Sequence, residues 1–175
     1  MNDGQSLLLR CFAPLENAHS RILILGSMPG VASLRRQQYY AHPRNTFWPI
    51  MAALFGIDRH QPYAERCARL VARRVALWDV MQACRRSGSL DSAIERESIQ
   101  ANDFPAFFRA HRHLNAVFFN GGTAEQTFQR EVARRHADAD WLPETRIRLP
   151  STSPANARLT LDDKTRHWRV ILQHL

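Results

Sequence analysis

Four short apolar runs, each closed by polar, glycine or proline residues, constrain this chain more than any other feature. They are residues 21–25 (RILIL) before Gly26-Ser27-Met28-Pro29-Gly30, 75–78 (VALW) before Asp79, 116–119 (AVFF) before Asn120-Gly121-Gly122, and 146–149 (RIRL) before Pro150-Ser151-Thr152-Ser153-Pro154. The first three are apolar with little alternation, as expected of parallel strands covered on both faces. The fourth alternates arginine with aliphatic residues, which suits a sheet edge. Helical spacing fills the gaps: 45–55, 62–74, a segment capped by Asn102 or Asp103 ahead of Pro105, 123–135, and a last helix beginning at Thr160 or Asp162. The expectation is an α/β fold, a three-layer α/β/α sandwich around a short, mainly parallel four-stranded sheet. At 175 residues, a single domain spanning 1–175 is expected.

In open α/β sheets, ligands bind in the crevice at the carboxyl ends of the strands. The segments 26–48, 79–92, 120–123 and 150–158 are therefore expected to converge on one site. Residues 88–92 read as the most exposed loop.

Charge suggests what visits that site. The chain carries 24 Lys plus Arg against 16 Asp plus Glu, a net +8, and all the bases but Lys164 are arginines. Arginine clamps phosphates with two hydrogen bonds and stacks on planar bases, which suits a nucleic-acid partner. A GC-rich genome would also write arginine for lysine. No run approaches the roughly 18–20 apolar residues of a membrane span. The stretch 1–10 lacks signal-peptide anatomy, so a soluble cytoplasmic protein is the expectation. Cys11, Cys67 and Cys84 are scattered and form no CxxC pair, and no HExxH occurs among the eight histidines. Neither a disulfide scaffold nor a metal site is expected.

Each polar cluster has two readings. Gly26 to Gly30 either turns its backbone N–H groups toward a ligand or makes a tight turn. In 39–48 (YYAHPRNTFW), Asn45 either caps the following helix or holds a water or a base edge. Phe47 and Trp48 read as core, and Tyr40 as a stacking platform. Asp79 closes a buried strand, so it either accepts a structural hydrogen bond or points into the cleft. Asn120 precedes a Gly-Gly pair that suits an anion or a plain turn. The loop 150–158 either presents donors to DNA phosphates or caps the last helix.

The motifs GSMPGVASLRRQQYYAHPRNTFW (26–48) and LPSTSPANA (149–157), with SLDSAI (89–94), ND (102–103) and FFNGG (118–122) between them, resemble the uracil-DNA glycosylase superfamily. Within it the chain is most similar to the sixth family, the branch that releases hypoxanthine from deoxyinosine. The likeness covers roughly 20–172. It implies a monofunctional DNA glycosylase that flips a deaminated base from the duplex and needs no cofactor. The asparagine of the HPxN segment, Asn45, is the implied catalytic residue, and Tyr40 the ring that stacks on the extruded base. Backbone groups of Gly26, Ser27, Met28, Pro29 and Gly30, with Asp79 and Asn120, are expected to face the base. His42, Arg44, Ser151, Thr152, Ser153, Pro154, Asn156 and Arg158 are expected to face DNA.

Met28 departs from the pattern. It stands where mismatch-uracil relatives carry an asparagine and classical uracil enzymes an aspartate. A thioether cannot orient water, which weighs against uracil removal and leaves Asn45 for that task. A lyase step through a Schiff base is disfavoured, because the one lysine, Lys164, lies at the start of the last helix. The rival readings are a uracil or mismatch-uracil glycosylase, a non-catalytic DNA-binding relative, and an enzyme of free nucleosides. A monomer is expected.

Overall fold

A computed structural model describes residues 6–175. The first five residues of the 1–10 stretch lie outside the described residues. In chain order the elements are β1 (Leu7–Arg10), β2 (Ile22–Gly26), α1 (Val31–Arg36), α2 (Phe47–Phe55), α3 (Tyr63–Ala72), β3 (Val75–Asp79), β4 (Met81–Arg86), β5 (Ile94–Ala101), α4 (Phe104–Ala110), β6 (Ala116–Asn120), α5 (Gly122–Glu131), β7 (Thr145–Leu149) and α6 (Leu161–Trp168).

The four apolar runs form one parallel sheet in the order β3-β2-β6-β7. Strand β2 is buried along its whole length because both faces are covered. Ile22 and Ile24 face one core with Phe47, Ile50, Met51, Leu70 and Trp168 from α2, α3 and α6. Leu23 and Leu25 face the other, with Phe104, Phe107 and Phe108 of α4 and Phe128 of α5. These alternating sides of one strand give the expected three layers. The alternating strand, β7, does lie at the edge, with only its last residue buried.

Local chemistry sets the helix boundaries. Asp103 caps α4 by accepting from the Ala106 N–H at 3.0 Å, with Pro105 in the first turn where a missing N–H costs nothing. Thr160 and Asp163 form a reciprocal capping box at the start of α6.

The structure adds what the sequence reading left out. After Asp79 the chain leaves the parallel sheet and enters a second, antiparallel sheet ordered β1-β4-β5. Register shifts on either side of Ala83 break the two-residue period of β4, and β5 is largely polar and exposed. A short helix, α1, also lies inside 26–48. The small sheet encloses its own core of Met28, Met81, Cys84 and Ile94. Among the described residues no helix is long and apolar enough to cross a membrane.

Candidate active site

The carboxyl ends of β2, β3 and β6 bring Gly26, Asp79 and Asn120 to one edge. Gly26 and Asp79 are partners in the parallel register. A methyl group at Gly26 would lie 2.4 Å from Asp79 Oδ1 and 3.0 Å from the Tyr40 hydroxyl, so only glycine fits there. This close approach presses a carboxyl group and a phenol against the same point of backbone.

Tyr40 reaches that point at a backbone cost. Its φ is +55°, a left-handed conformation that is uncommon for an aromatic residue. Its ring stacks on Phe47 at 4.2 Å between centroids, which fixes its plane. The Tyr40 hydroxyl and Asp79 Oδ2 are both buried without a hydrogen-bond partner among the described residues. Burial, reinforced by Asp79, pushes the phenol above its ordinary range, and the Asn120 side chain offsets part of that rise. Burial also raises Asp79 from 3.8 to about 7; Asp91 adds to the rise and Arg86 opposes it.

Arg86 and Asp91 escaped the sequence reading. Arg86 is fully buried, donating to the Pro29 carbonyl at 2.6 Å and the Gly88 carbonyl at 3.0 Å. Its Nη1 stands 3.9 Å from Asp91 and makes no hydrogen bond among the described residues. Asp91 accepts from the Ser27 hydroxyl at 2.8 Å, and its own carboxyl is raised chiefly by burial. The loop 88–92 is thus exposed along most of its length but turns one carboxylate inward. Arg86 is one of many arginines in the sequence, and no spacing marks it as buried. Asp91 lies within the SLDSAI segment, which carried the only available signal.

The first motif, the second motif and Asn120 at the end of β6 meet at Thr152. The Asn120 Nδ2 donates to Thr152 Oγ1 at 2.9 Å and its Oδ1 accepts from the Thr152 N–H at 2.8 Å. The Thr152 carbonyl in turn accepts from the Thr46 N–H at 3.0 Å, next to Asn45. Gly121, at φ +99°, leaves room for Ser151, which would lie 2.9 Å from an added methyl carbon. On the other side, Trp168 of α6 donates to the Pro150 carbonyl at 2.9 Å, and buried Lys164 donates to the Asn156 carbonyl at 2.8 Å.

Asn45 sits one residue before the Thr46 N-cap and bonds the first N–H of α2. Its Oδ1 accepts from the Phe47 N–H at 2.9 Å at the mouth of α2. Because that partner is a donor, the oxygen end of the amide is fixed. One lone pair is used and a second remains, and the Nδ2 makes no hydrogen bond among the described residues. His42 accepts from the Arg44 N–H at 3.1 Å through Nδ1, which requires that nitrogen to be unprotonated.

Met28 buries its side chain in the small core against Met81, Cys84 and Ile94. One side-chain expectation is corrected. Thr152 is fully buried and spent on Asn120 and Thr46, because the loop must be anchored before it can present anything. The surface of that loop is left to Ser151, Ser153, Pro154, Asn156 and exposed Arg158.

An α/β/α sandwich that brings a glycine, a carboxyl, a phenol and an amide together at its strand ends, under an arginine-rich exterior, suits a DNA base-excising enzyme. The chain belongs to the uracil DNA glycosylase superfamily, whose family model matches residues 13–175. It is a DNA glycosylase, a hydrolase acting on N-glycosyl bonds, with DNA as its substrate. A relative named hypoxanthine DNA glycosylase from Methanosarcina acetivorans is 34% identical over 169 residues, covering 96% of this chain and all of that one. Another of the same name, from Methanosarcina barkeri, is 39% identical over 111 residues, covering 63% of this chain and 69% of that one. A solution NMR structure from Methanosarcina acetivorans, provisionally named a uracil DNA glycosylase, superposes with a TM-score of 0.77 at 32% identity, covering 96% of this chain and 98% of that one.

Proposed function

We propose that this enzyme removes hypoxanthine from deoxyinosine in duplex DNA as a monofunctional glycosylase, with Asn45 as its catalytic residue. The observation that carries the reading is the Asn45 amide, fixed by the Phe47 N–H beside the junction of Thr46, Thr152 and Asn120. The names of the relatives support the choice of base.

The chemistry follows from the groups present. The base flips out of the stack, and Tyr40 supplies a ring against which it packs. As the C1′–N9 bond breaks, positive charge grows on the sugar and negative charge on the base. Backbone N–H groups of the Gly26 to Gly30 loop, with Asp79 and Asn120, face the charge on the base. Asn45 has no useful basicity, so it acts by orientation: its free Oδ1 lone pair accepts from water and aims it at C1′. The loop Ser151 to Arg158, with His42 and Arg44, grips the phosphates, and the arginine excess sets a salt-dependent affinity. The 175 residues act as one domain and as a monomer. Three free thiols suit a reducing cytoplasm.

The test uses duplexes with one deoxyinosine or one deoxyuridine, followed by alkaline cleavage of abasic sites. Breaks at inosine that vanish with Asn45→Ala, while DNA affinity stays, support the reading. Breaks mainly at uracil transfer it to a uracil enzyme, and retained DNA binding with no breaks to a non-catalytic relative.

A further inference from the structure

Three of the buried side-chain atoms that lack a hydrogen-bond partner among the described residues gather near the strand ends: the Tyr40 hydroxyl, Asp79 Oδ2 and Arg86 Nη1. Buried polar atoms are normally paired, so such a cluster at one edge of the sheet marks a place where a polar partner would be satisfied. Asp79 is central to it. Its Oδ1 is wedged against Gly26 and its backbone carbonyl accepts from Asn102 at 2.8 Å, which leaves the carboxyl little freedom. The base-excision chemistry above gives it only a place facing the base.

We infer that Asp79 works as a neutral carboxylic acid, donating its O–H to the lactam oxygen of the flipped base as the glycosidic bond breaks. The inference rests on the proposed excision of a deaminated base. Deamination turns an amino group into a lactam, which sets a carbonyl acceptor beside a ring N–H donor. A neutral carboxyl carries the complementary pair, one donor and one acceptor. A carboxylate would accept from the ring N–H but repel the charge that the base gains in the transition state.

The surroundings favour the neutral form. Asp79 is 3% exposed. Asp91 faces it from the turn before β5 and opposes its ionisation, whereas Arg86 of β4 favours it. Tyr39 and Tyr40, from the segment after α1, and Cys11, after β1, also face it and are neutral near pH 7. A buried acid held neutral so that it can donate is an established catalytic device.

The step balances. The electron pair of the C1′–N9 bond leaves with the base, and the Asp79 proton passes to the base oxygen. Water adds to C1′ and releases a proton to solvent, and Asp79 regains one from solvent. Free base and an abasic sugar result.

Asparagine separates the two roles of Asp79, because its amide keeps one acceptor and one donor and cannot ionise. The experiment measures single-turnover release from a deoxyinosine duplex between pH 5.5 and 9.5 for wild type, Asp79→Asn and Asp79→Ala. The expected result is that Asp79→Asn stays within about tenfold of wild type at pH 6, while Asp79→Ala loses about 100-fold or more, as when a preorganised donor is removed. The wild-type rate falls at alkaline pH and the Asp79→Asn rate does not. An Asp79→Asn enzyme as slow as Asp79→Ala overturns the inference, because the charge is then what matters. An Asp79→Ala enzyme as fast as wild type also overturns it. A carboxyl-carbon NMR titration of the wild-type protein gives the readout that does not need turnover. If no inosine is cleaved, the excision reading fails; a carboxyl ionised at pH 6 sinks the inference by itself.

Discussion

Gly26 and Asp79 end neighbouring parallel strands in register, and a methyl group on the first would lie 2.4 Å from the carboxylate of the second. Gly26→Ala must displace either a buried carboxyl or the Tyr40 phenol, and overpacking of this kind costs about 1–3 kcal/mol. The variant should unfold at lower denaturant and lose most of its base release. Urea melts and single-turnover rates on the same preparation check both effects. A variant with unchanged rate would show that the contact is not part of the working site.

Stability should depend on pH through Asp79. Its carboxyl is raised from 3.8 to about 7, chiefly by burial. Between those values the folded state holds a proton that the unfolded state has released, so stability falls as pH rises from about 4 to about 7 and levels off above. The whole effect is on the order of a few kcal/mol. Asp79→Asn should remove this slope, gaining on wild type at pH 8 but not at pH 4. Denaturant midpoints at pH 4, 6 and 8 measure it; parallel profiles for the two proteins would refute it.

Thr152→Val keeps the shape of a fully buried side chain and removes the acceptor of the Asn120 Nδ2. Leaving a buried amide unpaired costs about 1–3 kcal/mol. The loop 150–158 should loosen, so the affinity for DNA should fall more than the rate at saturating DNA. Titration of an abasic duplex, beside a saturating rate measurement, reads the two separately.

Lys164 is spent on the Asn156 carbonyl, and burial pushes its ammonium pKa down. A neutral amine at this place would invite a Schiff base with the abasic product. The carbonyl bond and the burial argue instead for a brace. Borohydride should trap no covalent DNA adduct, and Lys164→Met should weaken DNA binding severalfold while leaving the cleavage of bound substrate near normal. A trapped adduct lost in Lys164→Met would mean that the enzyme is a lyase as well.

The parallel sheet was legible because its strands are covered on both faces and read as uninterrupted apolar runs. The alternation of Arg146, Ile147 and Arg148 told equally well of an edge. The small sheet was not legible, since register shifts around Ala83 destroy the period of β4 and β5 offers few apolar residues. Asp79 and Asn120 stood out as polar ends of buried strands. Arg86 did not, because burial of one arginine among many is decided by the Pro29 and Gly88 carbonyls that receive it. Met28 shows the limit of motif position: the sequence excludes it from orienting water, and only packing reveals that it fills the small core.

The central claim is that Asn45, held by the Phe47 N–H, orients water for release of hypoxanthine. Its most direct test is single-turnover release from a deoxyinosine duplex, with a deoxyuridine duplex beside it, for wild type and Asn45→Ala. The account predicts release at inosine, little at uracil, and a loss on the order of 100-fold or more with Asn45→Ala at unchanged DNA affinity. An Asn45→Ala enzyme that releases hypoxanthine at the wild-type rate, or a wild type that prefers uracil, would contradict it.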